Sequence, residues 1–308
     1  MNKINDITRK LMDKLSVFQN GFKGAFSLRE NGVCTALQSS DHVVIQSKLD
    51  KPGIDVYIED GTQDETVYVP SCVTHGGIDD LVSNDYHVGK NWNITIISGC
   101  GVETDNEQEA RHNGIHNFDV GENSHVKYVE RHIGDGQGTG TRSLNPVTMI
   151  NLHPYSSLEI DSAQIGGVDK AFRSTTAQVD TGAKLIIQER LYTDRQQDIK
   201  THFKVELNGE GSSADVVSRS VARDQSRQVM DSVIIANAPC TGHSECDSLI
   251  GEEAIVDASP RLFAHNKDAS LVHEAAVGRI AGEQILKLRT LGLTEEQAED
   301  EIVNGFLS

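Results

Sequence analysis

Aromatic residues make up only 5% of this 308-residue chain, and Trp92 is the single tryptophan. Compact cores usually lean on aromatic side chains for buried area, whereas a fold of many short strands and turns needs fewer. Basic residues are also scarce. The 28 Lys and Arg stand against 46 Asp and Glu, for a formal net charge of −18. Neutralising phosphates takes clustered Lys and Arg, so no nucleic-acid partner is expected. The charge favours solubility and basic partners or metal cations. No window approaches a membrane-spanning run of apolar residues, so no membrane partner is expected. The stretch from Met1 to Leu15 lacks the apolar region of a secretory signal. The expectation is a cytoplasmic protein whose five cysteines, Cys34, Cys72, Cys100, Cys240 and Cys246, remain thiols. Their odd number and irregular spacing do not make a disulfide framework.

What is present divides into three stretches: 1–20, 21–265 and 266–308. In the first, Ile4, Ile7, Leu11 and Leu15 recur at three- and four-residue steps, the apolar face of a short helix, with Asn5 or Asp6 as cap. In the second, strand-like runs dominate: His42–Ile45, Asp55–Ile58, Thr66–Val69 and Asn93–Ile97, each close to Gly, Asp, Asn or Ser. A repeating unit then sets in. Polar turns at 121–124, 153–157, 180–183 and 208–212 precede strands beginning near Val126, Leu158, Leu185 and Val216. A period of about 30 residues without long helices favours a parallel β-helix, with a β-sandwich as the alternative on pattern alone.

Helical signals return in the third stretch. Ile280, Ile285, Leu286, Leu288 and Leu291 lie in a segment that Gly292 can end. Thr294 and Gln297 form a capping box for a second helix with Ala298, Ile302, Val303 and Phe306 on its apolar face. Such a tail either docks a partner or plugs the open end of the β-body.

Several residues invite chemistry. Cys100 lies between two glycines at a strand end, which suggests close approach by a partner or ligand. Cys246 and Cys240 offer the thiolate that is both nucleophile and soft ligand, although a free Cys is often only a small buried hydrophobe. His273 and Glu274 are adjacent, so on a strand they point to opposite faces and reach one site only at a bend or across an interface; a capping or hydrogen-bonding role is the plainer reading. His112 and His116 stand four apart but lack the Glu of the zinc-protease pattern, and Gly114 between them argues against a helix. The Gly-rich run 134–140 lacks the Gly-Lys-Ser/Thr ending of a phosphate loop, so no nucleotide hydrolysis by this chain is expected.

Taken in order, Cys246-Asp-Ser-Leu-Ile-Gly251, His273-Glu274-Ala275, Gly278-Arg279-Ile280, Glu283-Gln284, Leu291-Gly292-Leu293, Glu295, Ala298 and Ile302-Val-Asn-Gly-Phe306 resemble the C-terminal signature of the SufB/SufD family. Ser98-Gly99-Cys100 and Asn145-Pro146-Val147-Thr148 extend the resemblance into the body. The resemblance implies an all-β core, a right-handed parallel β-helix with a short N-terminal helix and C-terminal helices. It also implies dimers, of this chain with itself or with a SufB/SufD paralogue, that dock an ABC-type ATPase (SufC) through the C-terminal helices, here through Leu291, Leu293, Ile302 and Phe306. Such complexes build transient iron–sulfur clusters from iron and from sulfur brought by a donor protein, and the scaffold itself is not an enzyme. Cys246 resembles the SufB cysteine proposed to hold the nascent cluster, and Cys100 the one proposed to receive sulfur. His273 and Glu274 resemble the SufB pair near the SufB–SufD interface, which makes the expected metal ligands Cys246, His273 and Glu274. SufD carries Gly at the second position of that pair, so Glu274 and Cys246 make the chain SufB-like. Departures from SufB are Met149 in place of a basic residue on the sulfur path, no Trp near Glu130 to His132, Val272 where another acid is common, and no counterpart of the N-terminal cysteine cluster.

Two other readings remain open. One is an adaptor that binds or activates the ATPase and holds no cluster. The other is a carbohydrate-acting β-helix enzyme, disfavoured because the acids are dispersed and aromatic sugar platforms are scarce.

Overall fold

The computed structural model describes residues 5–308 apart from 17, 19, 20, 62, 165 and 252, so Ile4 of the expected N-terminal stripe lies outside the described residues. The chain winds into a parallel β-solenoid of about 8 turns with one helix before it and two after it. Two sheets face each other across the lumen. The first runs from the hairpin Ala25–Glu30/Val33–Gln38 through Gln63–Val73, Asn93–Glu103, His125–Asp135, Ser157–Gln164, Lys184–Thr193, Ser213–Ala222 and Thr241–Ile250 to Ser270–Gly278. The second begins with the antiparallel pair Val43–Ser47/Gly53–Ile58 and continues through Asp79–Val88, Ala110–Val120, Arg142–Leu144 with Val147–Leu152, Lys170–Val179, Asp198–Leu207 and Arg227–Ala236 to Ile255–Ala264.

The strands arise from strict alternation. In Lys184–Thr193 the residues Leu185, Ile187, Glu189, Leu191 and Thr193 point inward and are buried, while their neighbours face outward, as the two-residue period of a pleated strand requires. No coil can bury that inward face alone, so each stacks on the next.

The expected turns stack in a column. The amides of Asn123, Tyr155, Gly182 and Gly211 each donate to a carbonyl of the next turn, at Pro154, Thr181, Glu210 and Pro239, and all four residues have positive φ. Gly182 has two reasons to be glycine, its φ of 62° and a Tyr155 ring that a Cβ would meet at 2.5 Å. Strand register fixes the repeat. Val126 pairs with Leu158 and Leu158 with Leu185, but Leu185 pairs with Ala214, not with the expected Val216. A two-residue slip leaves every side chain on its own face, so alternation alone does not set it.

Helix α1 (Asp6–Leu15) is capped by Asn5, whose side chain accepts from the Ile7 amide. It lies across the outer face of the first sheet, burying Leu11 and Leu15 with Phe18, Cys72 and Ile133. Lys10 and Lys14 pair with Asp135 at 2.9 and 2.6 Å. At the other end the strands continue past residue 265, because Ser270–Gly278 pairs in register with Thr241–Ile250. Helices begin only at α2 (Gly282–Thr290) and α3 (Glu295–Leu307). Gly292, at φ 100°, follows α2, and the capping box of Thr294 with Gln297 forms as expected. α3 packs Ala298 and Val303 inward and sets Glu299 and Asp300 beside Arg223, at 3.6 and 3.8 Å.

Candidate functional site

The inward face of the first sheet carries two files of residues that are polar or thiol-bearing except for Leu191. One file passes from Ser98 through Glu130, Ser162, Glu189 and Ser218 to Cys246, rung by rung. The second begins at Ser71, then runs through Cys100, His132, Gln164, Leu191 and Ser220 to Ser248. All these side chains are buried. Cys100 and Cys246 therefore share one wall of the lumen, five strands apart, about 24 Å at the usual strand spacing.

The glycines beside Cys100 serve a purpose other than the expected access. The thiol points into the lumen and is buried, while Gly99 and Gly101 face outward beneath α1. A Cβ at Gly99 would meet the Phe18 ring at 2.6 Å, and one at Gly101 would meet Leu11 at 2.9 Å. The glycines admit the helix, and the helix closes the outer face of the strand. Cys72, on the outer face next to Gly101, is buried under the same helix.

Between the two cysteines the lumen is bridged by Arg173, from the second sheet. Its guanidinium donates to Glu130 at 3.1 Å, Glu189 at 3.0 Å and His132 Nδ1 at 2.6 Å, and also to Ser162. Burial works against the Glu130 carboxylate, but His132, Arg173 and His116 outweigh it and hold the group down at about 2. Burial raises Glu189, only partly offset by Arg173. His132 is pushed down to about 3 by burial, so its ring is neutral. Sequence reasoning missed this network. Its signal was charge in the inward phase of strands that are otherwise apolar, as in Leu185, Ile187, Glu189, Leu191.

Cys246 lies between Ser218 and Ala275 on the penultimate strand of the first sheet. Burial pushes its thiol up to about 11, with Ser248 opposing and Glu189 adding to the rise. His273 pairs with Ser244, two residues before the Cys246 rung, and so shares the Cys246 face; its Nδ1 lies 3.2 Å from the Ser244 carbonyl. Glu274 is exposed and turned to the opposite, outer face. Within one chain Cys246 and His273 share a face, two residues apart in register, and Glu274 lies on the opposite one.

This end of the solenoid is unpaired in the single chain. Ile255–Ala264 and Ser270–Gly278 are the edge strands, and Ile255, Phe263, Val272 and Val277 are about half exposed. On the helices, Leu291 is 74% exposed, while Leu293, Ile302 and Phe306 are partly covered. Met149 points outward and is exposed, so it lines no internal path. The five cysteines are all free, and among the described residues no helix is long and apolar enough to cross a membrane. One trio, Asp55, Asp85 and His87, has donor atoms within 4.8 Å of each other. The Lys48 ammonium already bridges its two carboxylates and supplies the positive charge there.

A family model described as SUF system FeS cluster assembly, SufBD core domain, matches residues 84–306. An iron–sulfur cluster assembly SufBD family protein of Methanothermobacter thermautotrophicus is 30% identical over 228 residues, 71% of this chain and 53% of the relative. One of Archaeoglobus fulgidus is 30% identical over 220 residues, 70% of this chain and 57% of the relative. Another, of Staphylococcus saprophyticus, is 24% identical over 219 residues, covering 70% and 46%. The chain thus spans about half the length of these relatives. A family match over most of the solenoid and both C-terminal helices, on a parallel β-helix with an inward Cys246, places the chain in the SufB/SufD family of iron–sulfur cluster assembly proteins.

Proposed function

We propose that the chain is a scaffold of a SUF-type assembly complex, on which sulfur is received at Cys100 and a transient cluster is held at Cys246. The observation that carries this reading is the placing of Cys246 and His273 on one face of adjacent strands, two residues apart in register, at the unpaired end of the solenoid. Two ligands from one chain leave an iron centre incomplete. A second copy, or a SufB/SufD paralogue, docked on the exposed edge would add its own residues, and the outward Glu274 is the natural contributor across such an interface. The high pKa of the buried Cys246 thiol fits a site completed on assembly, since metal binding itself drives the thiol to thiolate. Transfer from Cys100 to Cys246 along the lumen has to pass Arg173. The α2–α3 tail, with Leu291 exposed, is the proposed dock for an ABC-type ATPase of the SufC kind, and a protein donor brings the sulfur. Five free thiols suit a reducing, cytoplasmic setting. The chain itself then catalyses no turnover.

Anaerobic reconstitution with ferrous iron and sulfide tests the cluster site. Wild type is expected to give a visible-absorbing cluster and Cys246→Ala to lose it, while an unchanged spectrum in the variant sinks the assignment. The second reading, an adaptor that only binds the ATPase, is favoured by the burial of Cys246 in the single chain. It predicts that Cys246→Ala is silent and that removal of Leu293–Ser308 abolishes ATPase binding.

A further inference from the structure

The start of the lumen holds two imidazoles without hydrogen-bond partners for most of their nitrogens. His112 and His116 lie on the strand Ala110–Val120, both inward and both at least 97% buried. His112 Nδ1 donates to Asp80 Oδ2 at 2.9 Å, and Asp80 is in turn held by Arg29. The Nε2 of His112 has no hydrogen-bond partner among the described residues. His116 has no partner at either nitrogen among the described residues. Buried polar groups are rarely left so, because each costs about 1–3 kcal/mol.

Gly114 explains how the two rings converge. A Cβ there would lie 2.8 Å from His116 Nε2 and 3.4 Å from His112 Nε2. The missing side chain leaves a space into which both nitrogens point. Both rings also line a small cavity of about 20 Å³ together with Cys100, Ser71 and Ser98, which is room for a species the size of one water or ion.

We propose that His112 and His116 form a buried binding site for a borderline divalent transition-metal ion, with Cys100 as third donor from the facing wall. The site goes beyond the cluster reading and does not rest on it. Imidazole and thiolate suit ferrous or zinc-like ions. An imidazole that donates its other N–H to a carboxylate is the usual supporting arrangement for a metal-bound His. Burial holds His116 down at about 4, so its lone pair is free at neutral pH. Coordination displaces the proton of the Cys100 thiol. Cys100 has to turn toward the rings, because the donor atoms of the three residues do not all lie within 4.8 Å of one another.

Anaerobic Co²⁺ titration of the full chain carrying Cys246→Ala reads this site apart from the proposed cluster site. The expected result is one Co²⁺ per chain with visible ligand-field bands and a sulfur-to-cobalt charge-transfer band. Adding Cys100→Ser should remove the charge-transfer band and keep the ligand-field bands. Adding His116→Leu should weaken binding at least tenfold and abolish the Co²⁺-induced rise in Tm, while the Tm without metal stays equal or rises because an unpartnered buried ring has been replaced by an apolar one. Three results overturn the proposal: no Co²⁺ bound by the Cys246→Ala chain, undiminished binding after His116→Leu, or binding lost instead on Asp85→Asn at the surface trio. If His116→Leu does not fold, retention of the charge-transfer band in Cys100→Ser overturns it.

Discussion

Arg173 is the side chain on which the interior of the solenoid depends most. Its removal would strand Glu130 and Glu189 in a medium that cannot solvate them. Breaking a buried pair in this way typically costs about 3–5 kcal/mol, so Arg173→Met is expected to lower unfolding stability by that order in urea titrations. A loss under about 1 kcal/mol would mean that water reaches the network. The buried histidines set the pH dependence. His116 and His132 have folded values depressed to about 4 and about 3, below the ordinary 6.5 of the unfolded chain. A depressed group contributes stability that is complete above its unfolded value and is lost as pH falls through the folded one. Unfolding stability should therefore decline from about pH 6.5 downward, by up to about 1.4 kcal/mol per pH unit for each ring. A flat profile between pH 6.5 and 4 would contradict the neutral assignment. These residues were hard to read in sequence. Alternation told which face each occupies, but nothing local told that Arg173 on one sheet meets Glu130 and Glu189 on the other.

Among the elements, α1 and α3 make the clearest predictions. α1 covers Gly99, Gly101 and Cys72 but not the Cys100 thiol, which faces the lumen. Leu11→Asp should lift the helix and make Cys72 react at least tenfold faster with iodoacetamide, read by peptide mass spectrometry, with Cys100 still protected. Equal labelling of both would mean that the strand itself opens. In α3, Thr294→Ala removes the capping-box acceptor at a cost of about 1 kcal/mol, and the helix should fray, seen as faster amide exchange at Gln297. This cap, the Asn5 cap and the individual polar turns were legible because each depends on side-chain chemistry within four residues. The strand Ser270–Gly278 was not. Its Glu and Ala residues suit a helix, and only pairing with Thr241–Ile250, about 29 residues earlier, makes it extended. That strand is why His273 and Glu274 part to opposite faces.

For the whole molecule, the exposed edge of the last coil is the feature that the proposed function uses. A free edge with half-exposed Phe263, Val272 and Val277 is a template for pairing. A Lys at position 272 should shift the chain toward monomer in sedimentation velocity and lower cluster yield in the same proportion; full cluster yield from a monomer would remove the need for a partner. The repeat announced the solenoid in the sequence, but no sequence pattern announces which end stays open. The central claim is a site that takes Cys246 from one chain and Glu274 from another, and mixed dimers test it most directly. Chains carrying Cys246→Ala and chains carrying Glu274→Ala are each expected to fail in anaerobic reconstitution. Mixed, they form dimers in which one of the two sites regains both residues, and the account predicts a cluster at roughly a quarter of the wild-type yield for random pairing. No recovery in verified mixed dimers would contradict it.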